Sequence, residues 1–323
     1  MEAKTINIYI KTPARLHLGL IDMNGEMGRL FGGLGVGIDH PNVIIKAQTA
    51  DSLKITGKKT SLAKAVTERF FTKYNNISPK VHLDIIETIP CHTGLGSGTQ
   101  FALSIAVALA KISHINASVP ELAEIVGRAK RTSVGTSIFQ YGGFVVDGGK
   151  NQKTPTTAPP LIFHHPFPET WRFIVASPNQ PKGLANAEEQ YAFDKLTIMP
   201  AQNVGQICRL IMLKLLPALT EHDIESFGDA LTKIQILTGN HLAAAQGGIY
   251  ASSIATECIK FMTQTGAYGV GQSSWGPALY AIVKQNDANT FLAKVKTHLK
   301  NGAGGEAFIA KANNQGAVIK VEV

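Results

Sequence analysis

Apolar and polar residues alternate at Ile6, Ile8 and Ile10, again over residues 43–47, and again at Val81, Leu83 and Ile85. A period of two is the mark of half-buried strands. The period changes at Phe101: Phe101, Ile105, Leu109 and Ile112 fall at helical spacing. Ser118, with Pro120 and then Glu121 three residues on, has the form of a capping box and predicts a second helix start there. Residues 142–147 predict a strand running into Gly148-Gly149, whereas 150–170 are polar, proline-rich and aperiodic and predict a loop or linker. Further on, 171–176 predict a strand and 205–219, 223–237 and 252–264 predict helices, the third ended by Gly266. A strand over 278–283, a helix over 288–299 and a closing strand over 317–323 complete the pattern. Strands and helices mix without strict alternation, so the expected class is α+β in two domains, 1–165 and 166–323.

Composition narrows this picture. The 323 residues are 44% hydrophobic and 17% charged, which excludes a disordered chain and gives ample length for a core. The longest apolar stretch, 101–112, is too short to cross a bilayer, and the N-terminus leads into a strand pattern and not into a signal core. A soluble, cytoplasmic protein is expected. Three cysteines, Cys91, Cys208 and Cys258, lie far apart and form no CxxC pair, which argues against a disulfide scaffold or structural zinc. The formal charge of +8 suits nucleic acid, a membrane surface or an anionic substrate. The basic residues are scattered, however, with small clusters only at Lys58-Lys59 and from Arg128 to Arg131, and few aromatics interleave with them. That disfavours a nucleic-acid groove and fits a polyphosphorylated small molecule, although charge alone is met equally by a merely basic surface.

The sharpest chemical signal is Pro90-Cys91-His92-Thr93-Gly94-Leu95-Gly96-Ser97-Gly98-Thr99-Gln100, placed between a strand and a helix. Glycines let backbone N–H groups approach phosphate, and a helix N-terminus adds partial positive charge, so Gly94, Leu95, Gly96, Ser97, Gly98, Thr99 and Gln100 are expected to bind an anion. The bland alternative is a tight turn at a helix start. The run is neither a Walker loop nor a Rossmann fingerprint. It resembles the phosphate loop of the GHMP kinase superfamily, while Pro13-Ala14-Arg15-Leu16-His17-Leu18-Gly19 and Gly269-Val270-Gly271-Gln272-Ser273-Ser274-Trp275-Gly276-Pro277 resemble its N-terminal and C-terminal motifs. The resemblance covers nearly the whole chain and implies that superfamily's two-domain architecture.

Two departures bear on chemistry. The kinases carry a general-base aspartate about seven residues before a Gly-Gly pair; here the pair is Gly142-Gly143 and the matching position is Gly135. Their loop places a second serine near magnesium; here that position is Gly98, followed by Thr99. The segments 18–22, 28–33, 141–149, 216–219 with 223–224, 245–250 and 271–277 are similar instead to the β-ribofuranosylaminobenzene 5′-phosphate synthase family. That family implies condensation of 4-aminobenzoate or 4-hydroxybenzoate with phosphoribosyl pyrophosphate, with release of carbon dioxide and pyrophosphate, early in tetrahydromethanopterin synthesis. The alternatives are a small-molecule kinase of the superfamily using ATP and a non-catalytic phospho-ligand-binding protein. Mg²⁺ as cofactor and a homodimer are expected, with no nucleic acid and no membrane partner.

Such a reaction needs donors for the pyrophosphate, a carboxylate near the cationic ribose and a slot for the aryl ring. Asp22 and Arg29, in a glycine-rich stretch, are expected as a catalytic pair, against the alternative of a surface salt bridge. Arg15 and His17 alternate on one face of a strand directed toward the site, Arg15 for phosphate and His17 as an acid or base, against a hydrogen-bonded core histidine. Gln246, Gln272, Ser273, Ser274 and Trp275 are expected to orient an aryl ring or a phosphate, or else to form packed glycine-rich turns. Lys182, Glu188 and Glu189 offer a cation and two acids, and Asp22, Thr99 and Glu188 are the candidate metal ligands.

Overall fold

The structure is a computed structural model that describes residues 5–155, 157–180, 191, 193 and 195–322. Its first sheet is built on a long antiparallel hairpin of β1 (Asn7–Asp22) and β2 (Arg29–Thr49), in register from Asn7 opposite Gln48 to Asp22 opposite Phe31. Irregularities between Thr12 and Ala14 and between His17 and Gly19 interrupt the pairing, which is why the alternation read near Ile6 fades before the strand does. β3 (Lys54–Gly57) and β4 (Val81–Glu87) pair in parallel, with α1 (Thr60–Lys73) as the crossover between them. β5 (Phe144–Asp147) pairs with β2, β6 (Lys150–Asn151) with the start of β2, and β7 (Leu161–His165) with β5. The expected linker over 150–170 therefore holds two short strands; β7 is half-exposed along its length, which removes the apolar alternation that would announce it.

The helix expected from Phe101 is α2 (Ser97–Ile112), buried on almost every face beneath the sheet, as its nearly continuous apolar sequence requires. α3 (Val119–Ile125) has the anticipated capping box: Ser118 Oγ accepts from Glu121 N at 3.4 Å and Glu121 Oε2 accepts from Ser118 N at 2.7 Å. α4 (Val134–Tyr141) lies against β2 where that strand carries glycine. A Cβ at Gly33 would stand 2.7 Å from Val134 Cγ2 and one at Gly35 2.3 Å from Val134 Cγ1, so only glycine lets this helix seat.

The second sheet has the order β11 (Gly305–Ala310), β8 (Trp171–Pro178), β10 (Leu279–Lys284), β9 (Gly269–Gln272), antiparallel throughout. α5 (Ala201–Leu210) passes through a π-helical turn, Ile211–Leu215, into α6 (Leu216–Glu221). Asp223 then caps α7 (Ile224–Gln246), its carboxylate accepting from the backbone N–H groups of Glu225 and Ser226 at 3.1 Å each. α8 (Ser253–Gln264) is capped by Ser252 and is followed by Gly266 at φ 100°. α8 and α9 (Ala288–Asn301) cover one face of the second sheet around Met262, Leu279 and Val295. The closing strand, β12 (Val318–Glu322), returns to the first sheet beside β1. The two sheets are thereby joined at both ends of the C-terminal segment, and no described helix is long and apolar enough to cross a membrane.

Candidate active-site cleft

A cleft of about 540 Å³ opens where β1, the N-terminus of α2, the segment after α3, α7 and the turn after β9 converge. Its positive wall is formed by Arg15, Arg128, Lys130 and Arg131, with Thr99 and Thr132 between them. Its apolar lining is Leu20, Leu242, Ile249, Phe193 and Trp275, with Phe193 beside Arg131. No carboxylate occurs among the described residues that line it.

Local chain geometry fixes each wall. The glycine loop turns through left-handed backbone at Gly94 (φ 83°) and Gly96 (φ 79°), and Gly96 is the residue that caps α2. Arg15 is held against this loop, its Nη1 donating to the Gly94 carbonyl at 2.5 Å and its backbone N–H to the Leu95 carbonyl at 3.1 Å. Ser273 Oγ donates to the same Gly94 carbonyl at 2.7 Å and accepts the His17 N–H at 2.9 Å, so it ties the loop, β1 and the turn after β9 into one unit. At the end of α3 the chain reverses at Gly127 (φ 72°), with Arg128 N–H bonded to Ala123 O at 2.7 Å, and this turn sends residues 128–132 across the mouth of the cleft. The aromatic side is built around Phe193. Trp275 and Phe31 each meet its ring edge-to-face with centroids 5.4 Å apart, and the Arg131 guanidinium lies 4.6 Å from its centroid.

Of the residues anticipated from sequence, Arg15, His17, Thr99, Gln246, Gln272, Ser274 and Trp275 line this cleft together. Gly94, Leu95, Gly96, Ser97 and Gly98 form the loop behind it. Gln100 is fully buried and donates through Nε2 to the Gly135 carbonyl at 2.8 Å, which makes it a strut between α2 and α4. Gln272 also braces: its Oε1 accepts from Ala251 N and its Nε2 donates to Ser274 O. His17 is buried, and desolvation, with the Arg15 charge second, pushes its pKa down to about 3. A proton-donating His17 at neutral pH is therefore not what the geometry provides; the ring is neutral, with Nε2 at 3.5 Å from Thr132 Oγ1.

Asp22 and Arg29 are not brought to the cleft. Asp22 Oδ1 accepts the N–H groups of Asn24 at 2.6 Å and Gly25 at 2.8 Å, closing the β1–β2 turn. Arg29 Nε and Nη2 donate to the carbonyls of Gly148 and Gly149 at 2.5 and 2.9 Å, pinning β2 to the turn after β5. Both groups are occupied with backbone, which explains polar residues in a glycine-rich turn without a reacting substrate. Lys182, Glu188 and Glu189 lie outside the described residues.

No motif or periodicity singles out Phe193, Gln235 or Thr238, and 128–131 stand in the sequence only as a basic cluster. Gln235 donates to Leu18 O at 2.7 Å and accepts from Gln272 N at 2.9 Å, joining α7 to β1 and β9. The proximity of Arg128, Lys130 and Arg131 to Thr132 was the signal available for the positive wall. At Gly135, where the kinases' base aspartate would fall, a Cβ would stand 3.0 Å from Thr99 Cγ2, so α4 meets α2 here through a glycine.

Among the described residues no group of three or more His, Cys, Asp or Glu side chains is placed to hold a metal ion. Of the candidate ligands, Thr99 lines the cleft, Asp22 is turned into its own loop, and Glu188 is outside the described residues.

Comparison with known proteins agrees with this architecture. Residues 61–143 match the family model for the GHMP kinases N terminal domain and residues 215–301 that for the GHMP kinases C terminal. Among solved structures, homoserine kinase from Cytophaga hutchinsonii superposes with a TM-score of 0.68 at 17% identity, over 99% of this chain and 98% of that one. Lactococcus lactis galactokinase gives a TM-score of 0.69 at 13% identity, over 97% and 95%. These likenesses concern the fold. Closer in sequence is the beta-ribofuranosylphenol 5′-phosphate synthase of Archaeoglobus fulgidus, 32% identical over 326 residues that span 97% of this chain and 99% of that protein. The protein of the same name from Methanothermobacter thermautotrophicus is 32% identical over 303 residues, 88% and 91% of the two chains. With the fold of the GHMP kinases and this extent of sequence likeness, the chain belongs to the beta-ribofuranosylphenol 5′-phosphate synthase family.

Proposed function

We propose that the chain is a decarboxylating pentosyltransferase that joins C1 of phosphoribosyl pyrophosphate to the ring carbon of a para-substituted benzoate. The observation that carries this reading is the cleft itself, whose lining brings four cations beside a glycine loop together with the apolar Phe193 and Trp275. The cations suit two phosphate-bearing groups, and the aromatic residues suit a flat aryl ring.

In the reaction the bond from C1 to the pyrophosphate oxygen breaks and its electron pair leaves with pyrophosphate. The ring carbon bearing the carboxylate supplies the pair for the new C1–carbon bond. The carbon–carboxylate bond then breaks, its pair restores the aromatic ring, and carbon dioxide departs. No proton moves in this sequence. A neutral, buried His17 and a cleft wall without a described carboxylate are compatible with it, and the negative charge facing C1 is that of the benzoate. The cationic wall binds the diphosphate before reaction and takes the charge that grows on it as C1 becomes cationic. Magnesium carried in on the diphosphate would add to the charge that the cationic lining neutralises. A homodimer, tested by light scattering, is part of the same proposal.

Incubation with phosphoribosyl pyrophosphate and carboxyl-labelled 4-hydroxybenzoate or 4-aminobenzoate should release labelled carbon dioxide in step with pyrophosphate. Phe193→Ala should raise the KM for the benzoate by about tenfold, as loss of one aromatic contact face implies, with little change in the KM for the phosphoribosyl substrate. Pyrophosphate release without labelled carbon dioxide, or ATP-dependent phosphorylation of a small molecule, would defeat the assignment.

A further inference from the structure

Two arginine side chains occupy the space that side chains on the glycine loop would fill. A Cβ on Gly96 would stand 2.6 Å from Arg15 Cγ, and a Cβ on Gly98 would stand 3.0 Å from Arg128 Nη1 and 3.1 Å from Nη2. Arg128 thus lies against bare backbone in the first turn of α2, where the Thr99 and Gln100 N–H groups share the Gly96 carbonyl at 3.2 Å each and those of Ser97 and Gly98, the first two of the helix, have no acceptor within it. Arg15 is engaged with the Gly94 carbonyl. Arg128 is in a different situation. Its Nε is buried without a hydrogen-bond partner, and among the described residues no carboxylate forms an ion pair with it.

The electrostatic surroundings of Arg128 are adverse to an isolated cation. Burial lowers its pKa, the Arg69 charge lowers it further, and the nearby Cys91 thiol opposes them in the smallest degree. The fold nevertheless holds it in place. Arg69 Nη1 donates to the Val126 carbonyl at 3.3 Å, Gly127 adopts φ 72°, and Ala129 accepts a left-handed φ of 56° that a non-glycine residue rarely takes. A partly desolvated guanidinium without a counter-charge among the described residues, fixed by strained backbone and open to a cleft, is arranged for an anion that arrives from solution. Helix N–H groups, the partial charge of the helix terminus and a two-pronged guanidinium together match a group with several anionic oxygens.

We propose that Arg128 is the diphosphate-binding residue of this cleft: with the opening amides of α2 it grips the pyrophosphate of the phosphoribosyl substrate and holds it as the C1–oxygen bond breaks. This rests on the functional reading above and assigns one anion of that substrate to one side chain. The 5′-phosphate of the same substrate is the other candidate occupant, and the two are separated by probing with pyrophosphate and with ribose 5-phosphate.

Titration calorimetry on the full chain, for the wild type, Arg128→Lys and Arg128→Ala, provides the test. Arg128→Ala should weaken pyrophosphate binding about 10- to 100-fold, the range for one charge-assisted contact, and ribose 5-phosphate by less than about threefold. Arg128→Lys should fall between, because it keeps the charge and loses the fork; its smaller change in volume guards against a result that reflects misfolding. Unchanged pyrophosphate affinity in both variants, or a loss confined to ribose 5-phosphate, would overturn the assignment of Arg128 while leaving the reading of the cleft intact. A wild type that binds neither pyrophosphate nor phosphoribosyl pyrophosphate would overturn that reading itself.

Discussion

His17 and Asp147 are buried ionisable side chains on which burial acts with opposite sign. Asp147 is fully buried, its Oδ2 accepting from Ser133 N at 2.8 Å and its Oδ1 from Gly149 N at 2.9 Å. Desolvation raises its pKa from 3.8 to about 6, against the lowering effect of these backbone bonds. The folded chain thus binds a proton there more readily than the unfolded chain. The stability this contributes is complete below 3.8 and is lost as pH rises through about 6. His17 behaves in the reverse way. With its pKa lowered from 6.5 to about 3, its contribution is complete above 6.5 and is lost as pH falls toward 3. Between pH 4 and 6 the two slopes oppose, each about 1.4 kcal/mol per pH unit. Urea unfolding at pH 4, 5 and 6 should therefore show His17→Gln gaining stability relative to wild type as pH falls, and Asp147→Asn losing it. Parallel pH dependence in all three proteins would contradict both assignments.

At the scale of elements, the crossing of α7 on β9 shows how glycine sets the cleft. A Cβ on Gly228 would lie 2.0 Å from Tyr268 O, and one on Gly269 would lie 2.7 Å from Gly228 Cα, so helix and strand touch backbone to backbone. Gly228→Ala improves helix propensity by about 1 kcal/mol. The overlap with a carbonyl that cannot rotate away outweighs this, and a net loss of about 1–3 kcal/mol in unfolding free energy is expected from denaturation curves. Because Gln235 on α7 bonds both Leu18 O and Gln272 N, displacing the helix should also raise the KM for both substrates. Features of this kind separate what the sequence disclosed from what it did not. The alternation at Ile6, Ile8 and Ile10, the helical period from Phe101 and the Ser118 box are local, and each appears in the structure because neighbouring residues determine it. The glycine loop was legible for the same reason. The β2 glycines gave no strand signal, since their lack of side chains answers to Val134 a hundred residues away. Asp22 and Arg29 have the composition of a reacting pair, and only the fold shows their polar atoms bonded to nearby and distant backbone. Phe193 acquires its place through Phe31, Arg131 and Trp275, which come from three separate parts of the chain.

Across the whole molecule, the formal charge of +8 is spread over many surfaces, yet four cations converge on the cleft wall. Arg15 and Arg128 lie against the glycine loop, whereas Lys130 is exposed at the rim and makes its contribution through water. An exposed charge at a cleft mouth acts mainly on encounter with an oppositely charged substrate, and salt weakens it because the screening length is about 10 Å at 0.1 M. Lys46, on the outer face of the first sheet beside Tyr9 and His82, supplies a control with the same change in net charge away from the cleft. Lys130→Glu should lower kcat/KM for phosphoribosyl pyrophosphate by about tenfold at low ionic strength, with kcat nearly unchanged. At roughly 0.5 M salt the deficit should shrink to about twofold. Lys46→Glu should stay within about twofold of wild type at both salt concentrations, because its charge acts only through the screened field of the whole molecule. Equal deficits in the two variants would mean that net charge alone draws the substrate in. A Lys130→Glu deficit that persists in high salt would place Lys130 in direct contact with bound diphosphate, beside Arg128.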